Sequence, residues 1–154
     1  MFVKVSCLVG TIIALLCVCS YAQEPQLLSD VCLGCICEVT SGCNNTIGCY
    51  GNVCGPFGIT WGYWSDAGRL TINDEPSSNE GAYSRCANDL QCSSRTIQRY
   101  MAKFSSDCTG NGVIDCDDYL RIHRLGAYGC TGTLSALYET RYKLCMQAFA
   151  AYNV

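Results

Sequence analysis

Thiols, one imidazole and scattered carboxylates are the groups in this 154-residue chain that could do chemistry. Fifteen cysteines are far above intracellular usage and point to an oxidised, secreted protein. Cys32 and Cys35 have the C-x-x-C spacing that serves zinc or redox sites. A zinc site needs a second such pair or matching histidines, and His123 is the one histidine, so the thiols read as bridges and neither metal nor cofactor is expected. His123 suits a base beside a serine, a ligand contact or a structural role, and the sequence does not name a partner serine. Asp107-x-Thr109-x-Asn111-Gly112-x-x-Asp115-x-x-Asp118 echoes a calcium-binding EF-hand loop. Its twelfth position is a short Asp and two cysteines lie within it, so a tight turn capping a following helix is the preferred reading.

The N-terminus accounts for the odd cysteine. Lys4, the apolar stretch Cys7 to Cys19 and the small residues Ser20 and Ala22 form a signal peptide over residues 1–22. Cleavage after Ala22 removes Cys7, Cys17 and Cys19 and leaves a domain over 23–154 with Cys32, Cys35, Cys37, Cys43, Cys49, Cys54, Cys86, Cys92, Cys108, Cys116, Cys130 and Cys145. An even dozen fits six disulfides whose connectivity the sequence leaves open. The apolar stretch is short for a membrane span, and no second one follows. Without Lys4, nine basic residues face thirteen acidic ones. That balance argues against a nucleic-acid binder and against killing by cationic attraction to anionic envelopes. Asn44-Asn45-Thr46 is a glycosylation sequon.

These groups need a frame. Ser29 and Asp30 cap a helix carrying Val31, Leu33, Ile36 and the first cysteines. Four glycines and Pro56 within 48–58 predict turns, and 57–64 is too brief to separate strand from helix. Residues 69–85 read as a polar surface loop. Ile97, Tyr100, Met101 and Phe104 mark a helix over 94–104, Asp117 and Asp118 open another that stops before Gly126, and a last helix spans 134–149. The fold class is α+β, mainly helical, in one domain stapled by about six disulfides.

Cys32-Leu33-x-Cys35-Ile36-Cys37, Ser41-Gly42-Cys43, Cys54-Gly55-Pro56-Phe57-x-Ile59, Tyr63-Trp64-x-Asp66-x-Gly68 and Ile114-x-Cys116-x-Asp118-Tyr119 occur in order, followed by Arg121-Ile122-His123 and Gly129-Cys130. This series resembles the invertebrate-type lysozyme, or destabilase, family over nearly all of the chain that follows the signal peptide. The resemblance implies a lysozyme-like fold and hydrolysis of β-1,4 bonds in bacterial peptidoglycan, with cell-wall glycan or a related oligosaccharide as partner. An isopeptidase acting on glutamyl-lysine crosslinks, as in some members, and a glycan binder without hydrolysis are the alternatives.

Such hydrolysis uses two carboxyls that flank the scissile bond. The family places its acid directly before Ser-Gly-Cys, where this chain has Thr40, and its aspartate between the cysteines at 49 and 54, where this chain has only Tyr50-Gly51-Asn52-Val53. A hydroxyl cannot stand in for a carboxylic acid. Glu38 is the weak substitute, since two residues along a helix is a turn of about 200°, away from position 40. Asp66 is expected to accept backbone hydrogen bonds. By resemblance, Gly55, Pro56, Phe57, Ile59, Tyr63 and His123 contact substrate, although Arg124-Leu125-Gly126-Ala127 departs from the family's Asn-Gly-Gly-Pro. One or two of Phe57, Trp61, Tyr63 and Trp64 are expected to face the cleft as sugar-stacking rings.

Overall fold

A computed structural model describes residues 28–152; the expected signal peptide lies outside them. Helix α1 spans Asp30–Ser41. Ser29 caps it by accepting from the Cys32 amide at 3.1 Å, and Gly42 ends it in the left-handed region at φ 66°. Three two-residue strands follow as a small antiparallel meander of β1 (Cys49–Tyr50), β2 (Val53–Cys54) and β3 (Ile59–Thr60). The turns expected over 48–58 thus carry short strands, with Cys49 paired to Cys54 and Cys54 to Ile59.

Helix α2 (Trp61–Asp66) starts directly from β3, with the Thr60 hydroxyl accepting from the Tyr63 amide at 3.1 Å. The undecided stretch 57–64 is therefore a strand end followed by a helix. Residues 69–85 are not wholly a surface loop: Leu70 is buried, Ile72–Asp74 form a 3₁₀ turn, and α3 (Ala82–Asn88) begins at Gly81. Arg85 grips Glu75 through two hydrogen bonds, which closes that loop. Helix α4 runs Leu90–Phe104, four residues earlier than its periodicity suggests, because Asp89 caps it at 2.7 Å. Helices α5 (Cys116–Leu125) and α6 (Ala136–Tyr152) complete the fold.

Apolar faces of these elements meet in one core. Ile36, Phe57, Ile59, Trp64, Ile97, Met101, Leu120 and Ile122 are almost wholly buried in it, and the Trp64 indole donates to the Leu70 carbonyl at 2.6 Å. All twelve described cysteines are bridged. Cys32–Cys116 and Cys35–Cys145 tie α1 to α5 and α6, and Cys108–Cys130 links the loops flanking α5. Cys37–Cys43, Cys49–Cys54 and Cys86–Cys92 close local loops. The two longest-range bridges, 84 and 110 residues apart, each restrict the unfolded chain by about 4–5 kcal/mol in the chain-entropy picture.

Gly55 holds the sheet against α3. Its φ is +74°, and a Cβ there would lie 1.7 Å from the Ala87 carbonyl oxygen, so only glycine fits.

The Asp107 segment is built from backbone donors. Asp107 accepts from the amides of Gly110 (2.7 Å), Asn111 (3.2 Å) and Gly112 (2.8 Å), which hold its carboxyl below the ordinary range. The buried Asp118 accepts from the amides of Cys108, Thr109 and Asp115 at 2.8–2.9 Å and completes a capping box on α5 with Asp115. The segment is a tight turn that caps a helix. Asp66 departs from expectation: it is exposed, and its recorded hydrogen bond is through its carbonyl, which accepts from Lys103 at 3.2 Å.

Candidate functional site

A cleft of about 490 Å³ opens between the end of α1, the sheet, and the ends of α5 and α6. Its floor is the last turn of α1. Thr40 lies there and donates its hydroxyl to the Ile36 carbonyl at 2.7 Å. The Tyr138 hydroxyl lies 3.2 Å from Thr40 Oγ1, and since the threonine proton is already committed, Tyr138 is the donor. The position that resemblance assigns to an acid is thus filled by a hydroxyl pair. Burial raises the Tyr138 phenol above its ordinary pKa.

Helix α5 supplies the next wall. His123 Nε2 lies 2.9 Å from the Phe57 carbonyl and Nδ1 lies 3.4 Å from the Tyr63 hydroxyl. A carbonyl can only accept, so Nε2 carries the proton and the Nδ1 lone pair accepts from Tyr63. Burial lowers the His123 pKa to about 4, with the Arg124 charge adding to the shift and the Phe57 contact opposing it. The imidazole is neutral at neutral pH and both nitrogens are engaged. No serine is among its partners in the described residues. Tyr63 in turn stacks on Tyr100 with ring centroids 3.7 Å apart, which rigidifies the wall.

The hairpin forms the opposite rim. Tyr50, 86% exposed, and Val53 flank a two-residue turn of Gly51 and Asn52 that holds no carboxylate. Among the described residues that line the cleft there is neither Asp nor Glu, and Arg124 is the one side chain charged at neutral pH. Its guanidinium sits 5.3 Å from the centre of the Tyr138 ring.

Of the residues expected to contact substrate, Gly55, Phe57, Tyr63 and His123 line this cleft. Pro56 and Ile59 do not. Pro56 is buried with its carbonyl accepting from the Ser41 hydroxyl at 2.6 Å, and Ile59 belongs to the core while the next residue, Thr60, reaches the cleft. Trp64 is core, and Trp61 lies outside the cleft lining, 55% exposed beneath Arg69. Glu38 is exposed and borders a separate groove with Arg141 and Leu144. Asn44 is exposed, and its side-chain oxygen accepts from the Thr46 amide and hydroxyl.

Tyr138, Tyr50 and Arg124 are cleft residues that sequence reasoning missed. Tyr138 reaches the cleft on α6, which the Cys35–Cys145 bridge ties to α1. Thr40 is five residues beyond Cys35 and Tyr138 seven before Cys145, and their contact shows that the two helices run in opposite directions from that bridge.

Comparison with known proteins places this geometry. The Destabilase family model matches residues 29–145. The chain is 37% identical to a lysozyme of Magallana gigas over 80% of this chain and 82% of that one. It is 39% identical to Lysozyme 1 of Crassostrea virginica over 75% of this chain, but that match spans 58% of the relative's length. Among solved structures it resembles the Meretrix lusoria lysozyme in complex with PliI of Aeromonas hydrophila, with a TM-score of 0.60 and 30% identity over 75% of this chain and 88% of that one. Family model, relatives and fold agree: this chain belongs to the destabilase family of invertebrate-type lysozymes.

Proposed function

We propose that this is a secreted lysozyme homologue that binds cell-wall glycan or a related oligosaccharide and hydrolyses it weakly. One observation carries the reading: no described residue of the cleft lining carries a carboxyl group, and the acid position is a threonine whose hydroxyl is tied to Ile36 and Tyr138. Acid catalysis is worth typically 10²–10⁴-fold, and a hydroxyl of high pKa does not supply it. The absence of a second carboxylate at Gly51-Asn52 removes the nucleophile or charge stabiliser as well. Binding needs neither group. Exposed Tyr50, the stacked Tyr63 and the hydroxyls of Thr60 and Tyr138 offer ring faces and hydrogen bonds to a sugar chain. The six bridges favour an extracellular setting, and no helix among the described residues is long and apolar enough to cross a membrane.

The test is clearance of a bacterial cell-wall suspension alongside binding to the same walls. Lysis is expected to be at least about a hundredfold weaker than that of a relative with both carboxyls, with binding retained. Thr40→Glu is expected to recover part of the lysis only, since the hairpin still offers no carboxylate. Full-strength lysis by the natural protein would overturn the reading, and so would absence of binding.

A further inference from the structure

We propose that the cleft prefers a saccharide carrying a carboxylate, and that Arg124 is the residue that recognises it. The inference rests on the reading of the cleft as a saccharide site and names the class of saccharide. In a lining made otherwise of hydroxyls, backbone, aliphatic groups, aromatic rings and an imidazole, Arg124 is the one ionised group, and no acid in that lining neutralises it. The ion pairs recorded among the described residues are Arg85–Glu75 and Lys143–Glu139, so the Arg124 charge is not spent inside the protein. Its recorded partner is the face of the Tyr138 ring. A guanidinium held over a ring face by its charge does not use its N–H groups in that contact, and its fork matches the two oxygens of a carboxylate. Tyr138 is itself hydrogen-bonded to Thr40, so the platform beneath the charge is fixed to the cleft floor.

A positive side chain in the last turn of a helix also offsets the helix dipole. That role accounts for a charge at the end of α5, and it affects stability alone. It predicts no discrimination between ligands that differ by a carboxylate. The chain as a whole is negative, with a formal charge of -3, so long-range attraction does not favour an acidic ligand. Any preference has to come from contact within the cleft.

Two chemistries present a carboxylate on an amino-sugar chain: the lactyl group of N-acetylmuramic acid and the ring carboxylate of a uronic acid. Calorimetric titration of the natural protein, Arg124→Gln and Arg124→Lys with three tetrasaccharides separates them. The three are the neutral N-acetylglucosamine tetramer, a peptide-free tetramer alternating N-acetylglucosamine with N-acetylmuramic acid, and a tetramer alternating N-acetylglucosamine with glucuronate. At least one acidic tetramer is expected to bind about tenfold tighter than the neutral one. Arg124→Gln is expected to abolish that gap, and Arg124→Lys, which keeps the charge without the fork, to retain part of it. Equal affinity for all three tetramers overturns the proposal and leaves glycan binding standing, as does a preference that survives Arg124→Gln. Failure of all three to bind overturns both readings.

Discussion

Carboxylates are used in opposite ways in two parts of this molecule. In the turn before α5, Asp107, Asp115 and Asp118 turn their oxygens onto backbone amides, six of them to Asp107 and Asp118 alone. In the cleft, no described residue of the wall carries a carboxylate, and the position that resemblance assigns to an acid holds a threonine hydrogen-bonded to a tyrosine. The turn shows that the chain retains acids where backbone donors need them. The described lining of the cleft has none and keeps its frame, because neither a capping box nor a disulfide depends on position 40. Catalytic carboxyls contribute chemistry, and the fold does not rest on them.

The largest effect is expected at Asp118. It is fully buried and accepts from three amides, so Asp118→Ala leaves those donors without partners and opens the capping box. Loss of hydrogen bonds to a buried charge predicts destabilisation of about 3–5 kcal/mol, read as a lowered midpoint in chemical denaturation. Thr40→Val, which removes only a hydroxyl from the cleft, should cost clearly less. A Thr40→Val penalty as large as that of Asp118→Ala would show that the cleft floor is as architectural as the turn.

A smaller effect is expected at His123, and it depends on pH. Its folded pKa of about 4 lies below its ordinary 6.5, so the unfolded chain binds the proton more readily between those values. The neutral histidine's contribution is complete above pH 6.5 and is lost as pH falls toward 4. With allowance for its partial exposure the loss is about 2–3 kcal/mol. Denaturation midpoints of the natural protein and His123→Gln should converge over that window. A gap that stays constant from pH 6.5 to 4 would mean that the imidazole is not held neutral by its burial against Phe57 and Tyr63.

The helical frame was legible where local chemistry marks it. Ser29, the pair Asp117 and Asp118, and Gly126 locate the ends of α1 and α5 because caps leave side-chain signatures in the sequence. Helix α3 was not legible: it starts at a glycine with no side-chain cap, and what it buries, Ala82, Cys86 and Ala87, is small. The site was legible in part. Thr40, Tyr63 and His123 were placed by resemblance, but Ile59 was expected in the cleft where Thr60 stands, a one-residue offset that flips the side chain across a strand. Tyr138 and Arg124 come to Thr40 through α6 and α5, and a dozen cysteines of open connectivity do not reveal that packing.

The smallest effect is expected from Glu38→Gln, at the acid two residues from Thr40 in sequence. Position 38 is two residues, about 200°, around α1 from Thr40. The structure agrees with that geometry, since Glu38 borders the outer groove beside Arg141 and Leu144, while Thr40 opens inward against Tyr138. A carboxyl on that outer face cannot donate a proton to a glycosidic oxygen held between His123 and the hairpin, because the body of α1 lies between them. Saccharide affinity and any residual wall clearance should therefore stay within about twofold of the natural protein, the ordinary range for an exposed substitution. Strong clearance that disappears in Glu38→Gln would mean that α1 rotates or unwinds on binding glycan and brings Glu38 into the cleft, and the division between architectural acids and an acid-free cleft would then hold for the unliganded protein alone.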